Sequence, residues 1–264
     1  MAGILHALWR YRGFIHSSIM TEFKIRFARS RIGTFWLIIQ PLFQVMIYAV
    51  ILSTVMAAKL PNINNRYGYA LYLMSGTLAW SLFSEIITRA LGLFIEQANL
   101  IKKMHFPRST LPTILVGSAV LNNMLLFAAI LLIFSCLGHY PSWALLCLPF
   151  LTVIMVMFAI GIGLTLGVLN VFMRDLTHIV PILMQLLFWA TPIVYPITII
   201  PEQYRGFLKY NPLYIIVESY QNLFLYHQAP VVAHMLVLGI FSCGLLCLGF
   251  FVFRRANPEM VDVL

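Results

Sequence analysis

Residues 109–173 read STLPTILVGSAVLNNMLLFAAILLIFSCLGHYPSWALLCLPFLTVIMVMFAIGIGLTLGVLNVFM, and none of these 65 is Lys, Arg, Asp or Glu. As a single helix rising about 1.5 Å per residue the stretch would measure about 100 Å, roughly three times the hydrocarbon thickness of a bilayer. It therefore crosses twice. Gly138-His139-Tyr140-Pro141-Ser142 in its middle supplies turn residues, and Trp143 suits the interface where the chain returns. Working outward, four more charge-free windows cover 32–58, 67–84, 176–201 and 219–253. Reading them as runs of about 20 apolar residues predicts six spans, at about 35–58, 68–86, 111–137, 143–169, 179–200 and 231–253. The expected fold class is an all-α membrane protein of six transmembrane helices.

Composition points the same way. Hydrophobic residues make up 61% of the 264 and charged ones 9%, against about a quarter charged in an ordinary soluble domain. The net charge of +9 could suggest nucleic acid, but the basic residues flank apolar spans, so lipid headgroups are the expected anions and no nucleic acid is expected. An even number of spans puts both termini on one side. That side holds thirteen Lys and Arg against four on the other (Lys59, Arg66, Arg205 and Lys209), so the termini are predicted cytoplasmic. Cys136, Cys147, Cys243 and Cys247 lie in or beside apolar windows without metal-ligand spacing, and no metal site is expected. Cys243 and Cys247, one helical turn apart, suit packing of small residues. Residues 1–31 lack the continuous apolar core and small-residue cleavage site of a secretory signal.

Residues 1–34 read as a segment distinct from the six-span body 35–264. Within it, residues 4–31 read as an amphipathic helix or helix pair in the membrane surface, Trp9, Phe14, Ile15, Phe23 and Phe27 lying among Arg10, Arg12, Lys24, Arg26, Arg29 and Arg31. It is either a basic anchor that fixes topology or a dock for an anionic lipid-linked substrate, for which arginines near the bilayer entrance are suited. Between the second and third spans, residues 96–108 carry Lys102, Lys103, His105 and the Phe106-Pro107 break, and read either as a free loop or as a docking element for another protein. Glu85 and Arg89, four apart, tie down the end of the second span.

Between the fifth and sixth spans, Pro192, Pro196, Pro201 and Pro212 interrupt the chain, while Arg205 and Lys209 forbid a crossing. Two short helices are predicted. The first, about 201–210, starts at Pro201-Glu202 and contains Tyr204; the second, about 213–226, follows Pro212, contains Glu218, and shows Leu213, Ile216, Val217, Tyr220, Leu223 and Phe224 on one face. Together they read as a re-entrant hairpin dipping into the outer membrane surface. Such backbone is tolerated at that depth only against protein or a water-filled cavity, so the hairpin is expected to border a pathway.

No G-x-x-x-x-G-K-[ST], HExxH or GxSxG occurs, so no catalytic residue and no ATP site are expected in this chain. Of the eight acidic residues none falls in the middle of a predicted span, which argues against ion-coupled transport. Gln40, Gln44, Ser118, Asn122, Asn123 and Gln185 do lie inside spans, where interhelical hydrogen bonding is the first explanation and substrate contact the second. Gly163 and Gly167 form a single GxxxG, weak evidence for close helix packing. Trp36, Phe43, Trp80, Phe83, Phe188, Trp189 and Tyr195 gather toward span ends, either as belt and core residues or as flat ring faces lining a conduit for sugars.

Three segments in order resemble the permease subunit of bacterial ABC exporters for surface polysaccharides, the O-antigen and capsule type. They are Thr21 to Trp36 (TEFKIRFARSRIGTFW) with Gln40-Pro41-Leu42, then Asn170 to Leu176 (NVFMRDL), then Thr191 to Pro196 (TPIVYP) with Asn211-Pro212-Leu213. The resemblance implies a homodimer in the bacterial inner membrane with two cytoplasmic ATPase subunits, which carry the ATP and Mg. It implies a lipid-linked polysaccharide as substrate, on undecaprenyl pyrophosphate for O-antigens, threaded through a channel at the dimer interface. The family's coupling helix would map to about 97–106 and its periplasmic gate helices to about 201–210 and 213–226. Rival readings are an exporter of capsule or teichoic acid, a drug or small-lipid exporter of the same architecture, and a membrane enzyme of lipid-linked sugar transfer, for which Glu202 and Glu218 are a thin basis.

Overall fold

The computed structural model describes residues 9–27, 36–47, 68–98, 102, 107, 109–208 and 210–263. Helices and turns account for the secondary structure among the described residues, and no strand occurs there. In chain order the helices are α1 (Arg12–Phe27), α2 (Trp36–Ile47), α3 (Gly68–Glu96), α4 (Thr110–Cys136), α5 (Leu148–Phe172), α6 (Leu176–Ala190), α7 (Glu202–Leu208), α8 (Pro212–Gln221) and α9 (Val232–Val263). A 3₁₀ turn, Trp143–Cys147, leads into α5, and a π-helical turn, Asn222–Tyr226, continues α8.

Local chemistry sets the boundaries. Gly138, at φ +87°, closes α4 in a conformation that side chains rarely adopt, and the N–H groups of Gly138 and His139 reach back to Ser135 O and Phe134 O at 3.1 and 2.8 Å. Pro149 sits in the first turn of α5, where its missing N–H costs nothing. Asn211 caps α8 by accepting from Leu213 N at 3.0 Å, and Pro212 follows in the first turn.

Four described helices are long and apolar enough to cross a membrane: Gly68–Glu96, Thr110–Cys136, Trp143–Phe172 and Val232–Ala256. A fifth apolar helix, Leu176–Ala190, is shorter. This is a multi-pass membrane protein. Twelve residues of the expected first span form α2, and its remainder, 48–58, lies outside the described residues. The expected second span, 68–86, runs on to Glu96, because its charges at Glu85 and Arg89 are paired in place. The expected fifth span, 179–200, ends ten residues early at Ala190, because Thr191-Pro192 unwinds the chain.

At the centre lie α3 and α5. Met74, Leu78, Leu82, Ile86, Ala90 and Phe94 recur every fourth residue on α3 and are all buried. Gly163 and Gly167 of α5 receive Ala90 of α3, while Gly161 on its other side receives Gly249 and Leu245 of α9. Glycines on two faces thus let three backbones approach closely. On another side of α3 lies α4, which carries α1 and α2 in turn. The periphery stays apolar: Ile182, Leu183, Leu186 and Trp189 on α6, and Val237, Ile240 and Phe251 on α9, are each more than half exposed. A face of that kind belongs in lipid or against another protein.

Candidate functional site

The break after α6 is where backbone polar groups have no helical partners and where side chains come to replace them. Pro192 and Pro196 cannot donate, so the carbonyls of this stretch need outside donors. Tyr72 Oη lies 3.0 Å from Pro192 O and 3.1 Å from Tyr195 O, Gln221 Nε2 donates to Pro192 O at 3.1 Å, and Tyr69 Oη donates to Val194 O at 2.6 Å. Tyr69 and Tyr72 are one turn apart on α3. Asn211 Nδ2 donates to Thr191 Oγ1 at 3.4 Å while the same side chain caps α8. The segments Thr191–Pro196 and Asn211–Leu213, separate in sequence, are therefore one assembly, with Ile193 fully buried at its heart. Gly76 makes room for it: a Cβ there would lie 2.9 Å from Gln221 Nε2.

Between the two segments runs α7, the outer arm. Pro201, Glu202, Tyr204, Phe207 and Tyr210 are exposed on it or beside it. Arg205 satisfies the backbone that leads in, donating to Ile200 O at 2.8 Å and Thr198 O at 3.0 Å, with Glu202 Oε1 at 3.7 Å. The second arm, α8, is packed into the bundle. Tyr220 is fully buried with its hydroxyl 3.0 Å from Thr152 Oγ1, and Tyr214 donates to Glu218 at 2.7 Å. Its far end is fastened by His139, whose Nε2 lies 3.0 Å from Phe224 O and whose ring stacks on His227 at 5.1 Å. His227 is exposed, and partial desolvation of its ring, then the neighbouring His139, lower its pKa.

Of the candidate aromatics, Trp80, Phe83 and Trp189 are brought together. Trp189 meets Phe188 at 5.7 Å, Phe188 meets Trp80 at 5.2 Å, Trp80 meets Phe83 at 5.8 Å, and Phe83 stacks on Phe158 at 5.5 Å. The row runs inward, from an exposed Trp189 to a Phe83 that is 2% exposed. Tyr195 joins its outer end by donating to Trp189 O. Phe43 stands apart and is exposed, and the side chain of Trp36 lies outside the described residues.

The basic candidates divide differently. Arg26 lies in α1 with its side chain outside the described residues, as are Arg29, Arg31, Lys103, His105 and Phe106 altogether; Lys102 is exposed. What the sequence did not single out is Glu22, which joins the Glu85–Arg89 pair, Ser118 and Asn122 into one polar cluster. Arg89 of α3 contacts Glu22 of α1 and lies 3.4 Å from Glu85; Ser118 of α4 donates to the other Glu22 oxygen at 2.7 Å, and Asn122 donates to the other Glu85 oxygen at 2.8 Å. A signal was present: Glu22 is the sole acidic residue among the first 84. The Asn170–Leu176 segment is likewise tied to α3, by Asn170 Nδ2 donating to Leu91 O at 2.8 Å, and Asp175 starts α6.

A helical, multi-pass chain whose polar groups serve to hold a helix break and a short hairpin is built as a membrane transport component. The chain belongs to the ABC-2 type transporter family, whose model matches residues 15–225. It is thus a permease, the membrane part of a transporter that works with an ATP-binding cassette ATPase. Over 264 residues it is 29% identical to the O-antigen export system permease protein RfbA of Myxococcus xanthus, covering 99% of both chains. It is 32% identical over 247 residues to RfbA of Klebsiella pneumoniae, covering 92% of both. With the polysialic acid transport protein KpsM of Escherichia coli it shares 24% over 260 residues, covering 94% of this chain and 95% of the other.

Proposed function

We propose that this chain is the transmembrane subunit of an ATP-driven exporter that moves a lipid-linked polysaccharide, an O-antigen on undecaprenyl pyrophosphate, from cytoplasm to periplasm. The observation that carries this reading is the 29% identity, over 99% of both chains, to an O-antigen export permease. Two copies form the channel at their interface, and two ATPase subunits bind ATP and Mg on the cytoplasmic side. The chain crosses the inner membrane six times with both termini cytoplasmic, an orientation that the distribution of Lys and Arg supports.

In this reading Arg26, Arg29 and Arg31 attract the pyrophosphate, for which guanidinium forks are suited. The hydrocarbon tail stays in lipid while the glycan passes between the copies. Segment 97–106, with Lys102, Lys103, His105 and Phe106, contacts the ATPase. The helices α7 and α8 form the periplasmic gate, and their neighbours Trp189 and Tyr195 offer the sugar an aromatic surface at the periplasmic end of the path. Shallow ring contacts let a long polymer slide without a deep well. The test is co-purification with the cognate ATPase from cells making the glycan, followed by mass spectrometry of the retained lipid. Glycan on undecaprenyl pyrophosphate is expected; glycan on a different lipid would favour a capsule exporter, in keeping with the 24% identity to a polysialic acid transport protein.

A further inference from the structure

Three helices meet where the cluster around Arg89 sits, and each supplies polar groups in register. Glu85 and Arg89 are one turn apart on α3, Ser118 and Asn122 one turn apart on α4, and Glu22 comes from α1. Each carboxylate gives one oxygen to Arg89 and the other to a neutral donor of α4. The side chains of Glu22, Glu85 and Arg89 are 33%, 18% and 26% exposed, so their pairing is only partly screened by solvent. One turn before Glu22, Ile19 presses on α4 at Gly117, where a Cβ would lie 2.4 Å from Ile19 Cδ1. The interfacial helix is thus clamped to the bundle, not merely adsorbed to lipid.

The partner of the clamp matters more than its strength. Arg89 lies seven residues before Glu96, the last residue of α3, and α3 leads directly into segment 97–106. That places the ion pair about 10 Å from the end of a continuous helix, which moves as a rod. Pulling Glu22 away would strip a partly buried carboxylate of Arg89 and Ser118, so the discrete arrangement favours movement together over separation.

We infer that the Glu22–Arg89 pair is the link by which the ATPase-facing end of α3 carries α1 with it, so that the basic segment at the membrane entrance shifts when the docking segment shifts. Both are positioning residues, and the inference rests on the proposed role of 97–106. Among the described residues the cluster joins two carboxylates to one guanidinium, so Glu22→Gln keeps the Glu85–Arg89 pair and removes the charge that ties α1 to it.

The experiment uses the permease–ATPase complex with native cysteines replaced, labelled protomers diluted with unlabelled ones, and spin labels at the exposed positions Ser17, Thr88 and Leu248. Distances Ser17–Leu248 and Thr88–Leu248 are measured without nucleotide and with ATP trapped. In the parent both shift together; in Glu22→Gln the Thr88 distance still shifts, the Ser17 distance loses most of its shift, ATP hydrolysis persists and glycan export falls by about tenfold. A parent in which Ser17 stays still, or neither distance moves, or a Glu22→Gln protein in which both still shift, overturns the link. The distances need no glycan: a complex that exports nothing but shows the coupled shifts sinks the proposed substrate and leaves the link standing.

Discussion

A tyrosine hydroxyl donates one proton, and Tyr72 has two carbonyls within reach, Pro192 O at 3.0 Å and Tyr195 O at 3.1 Å. Whichever accepts, the bond helps hold the unwound turn after α6, beside those from Gln221 and Tyr69. Tyr72→Phe is expected to lower stability by about 1 kcal/mol, the ordinary value of one such bond, read as a drop in melting temperature in detergent. The same change at the exposed Tyr210 should leave melting unchanged. His227 gives a pH dependence. Its pKa is lowered from the ordinary 6.5, by partial desolvation of an otherwise exposed ring and then by His139, so below that value the unfolded chain binds the proton more readily than the folded one. Stability should therefore be flat above the ordinary value and fall as pH drops through it toward the lowered one. His227→Gln should flatten this slope, checked by melting curves across the range; an identical slope would free His227 of the role.

At the scale of elements, the joint between α5 and α9 is backbone on backbone. A Cβ at Gly249 would lie 2.6 Å from Gly161 O, whereas at Gly244 of the same helix it meets nothing within 4 Å. Alanine gains up to about 1 kcal/mol over glycine in a helix, so Gly244→Ala should be neutral or stabilising, while Gly249→Ala should cost about 1–3 kcal/mol by forcing the helices apart. Melting of the two variants side by side decides it. The GxxxG of Gly163 and Gly167 was visible in the sequence, but its partner Ala90 was not, because residue spacing says nothing of which helix comes alongside. Hydropathy located the starts of α3, α4 and α9 and the apolar body of α5 closely, since length and the lack of charge are properties of one segment, while α9 runs on to Val263 through Arg254 and Arg255. It failed at Glu96 and Ala190, where a neighbour decides. Charges that look terminal are tolerated inside α3 once Glu22, Ser118 and Asn122 satisfy them, and an apolar run that looks long enough breaks once Tyr69, Tyr72 and Gln221 replace its helical bonds. The same limit applied to the candidate site: its prolines were legible, while nothing in residue spacing marked Tyr69 and Tyr72 as the side chains that hold them.

At the scale of the whole molecule, the apolar surface is unevenly explained. The outward face of α9 suits lipid, which asks nothing of shape. Helix α6 is different: among its described residues only Val180 is buried, it is too short to span on its own, and it ends in the polar turn held by Tyr69 and Tyr72. A short helix that ends in backbone carbonyls is poorly served by hydrocarbon on every side, and protein is the better neighbour. In the proposed dimer that neighbour is the second copy, met across a two-fold axis, where a residue near the axis faces its own counterpart. Single cysteines placed at Ile182, Leu186 and Trp189, in a background lacking Cys136, Cys147, Cys243 and Cys247, should therefore form disulfide dimers at one or two of the three positions, separated by a helical turn. Cysteines at Ile240 and Phe251 on α9, equally exposed, should stay monomeric. Oxidation in membranes followed by non-reducing gels reads the result. Cross-links on α9 without any on α6 would place the second copy on the opposite side of the bundle and remove α6, Trp189 and Tyr195 from the proposed conduit.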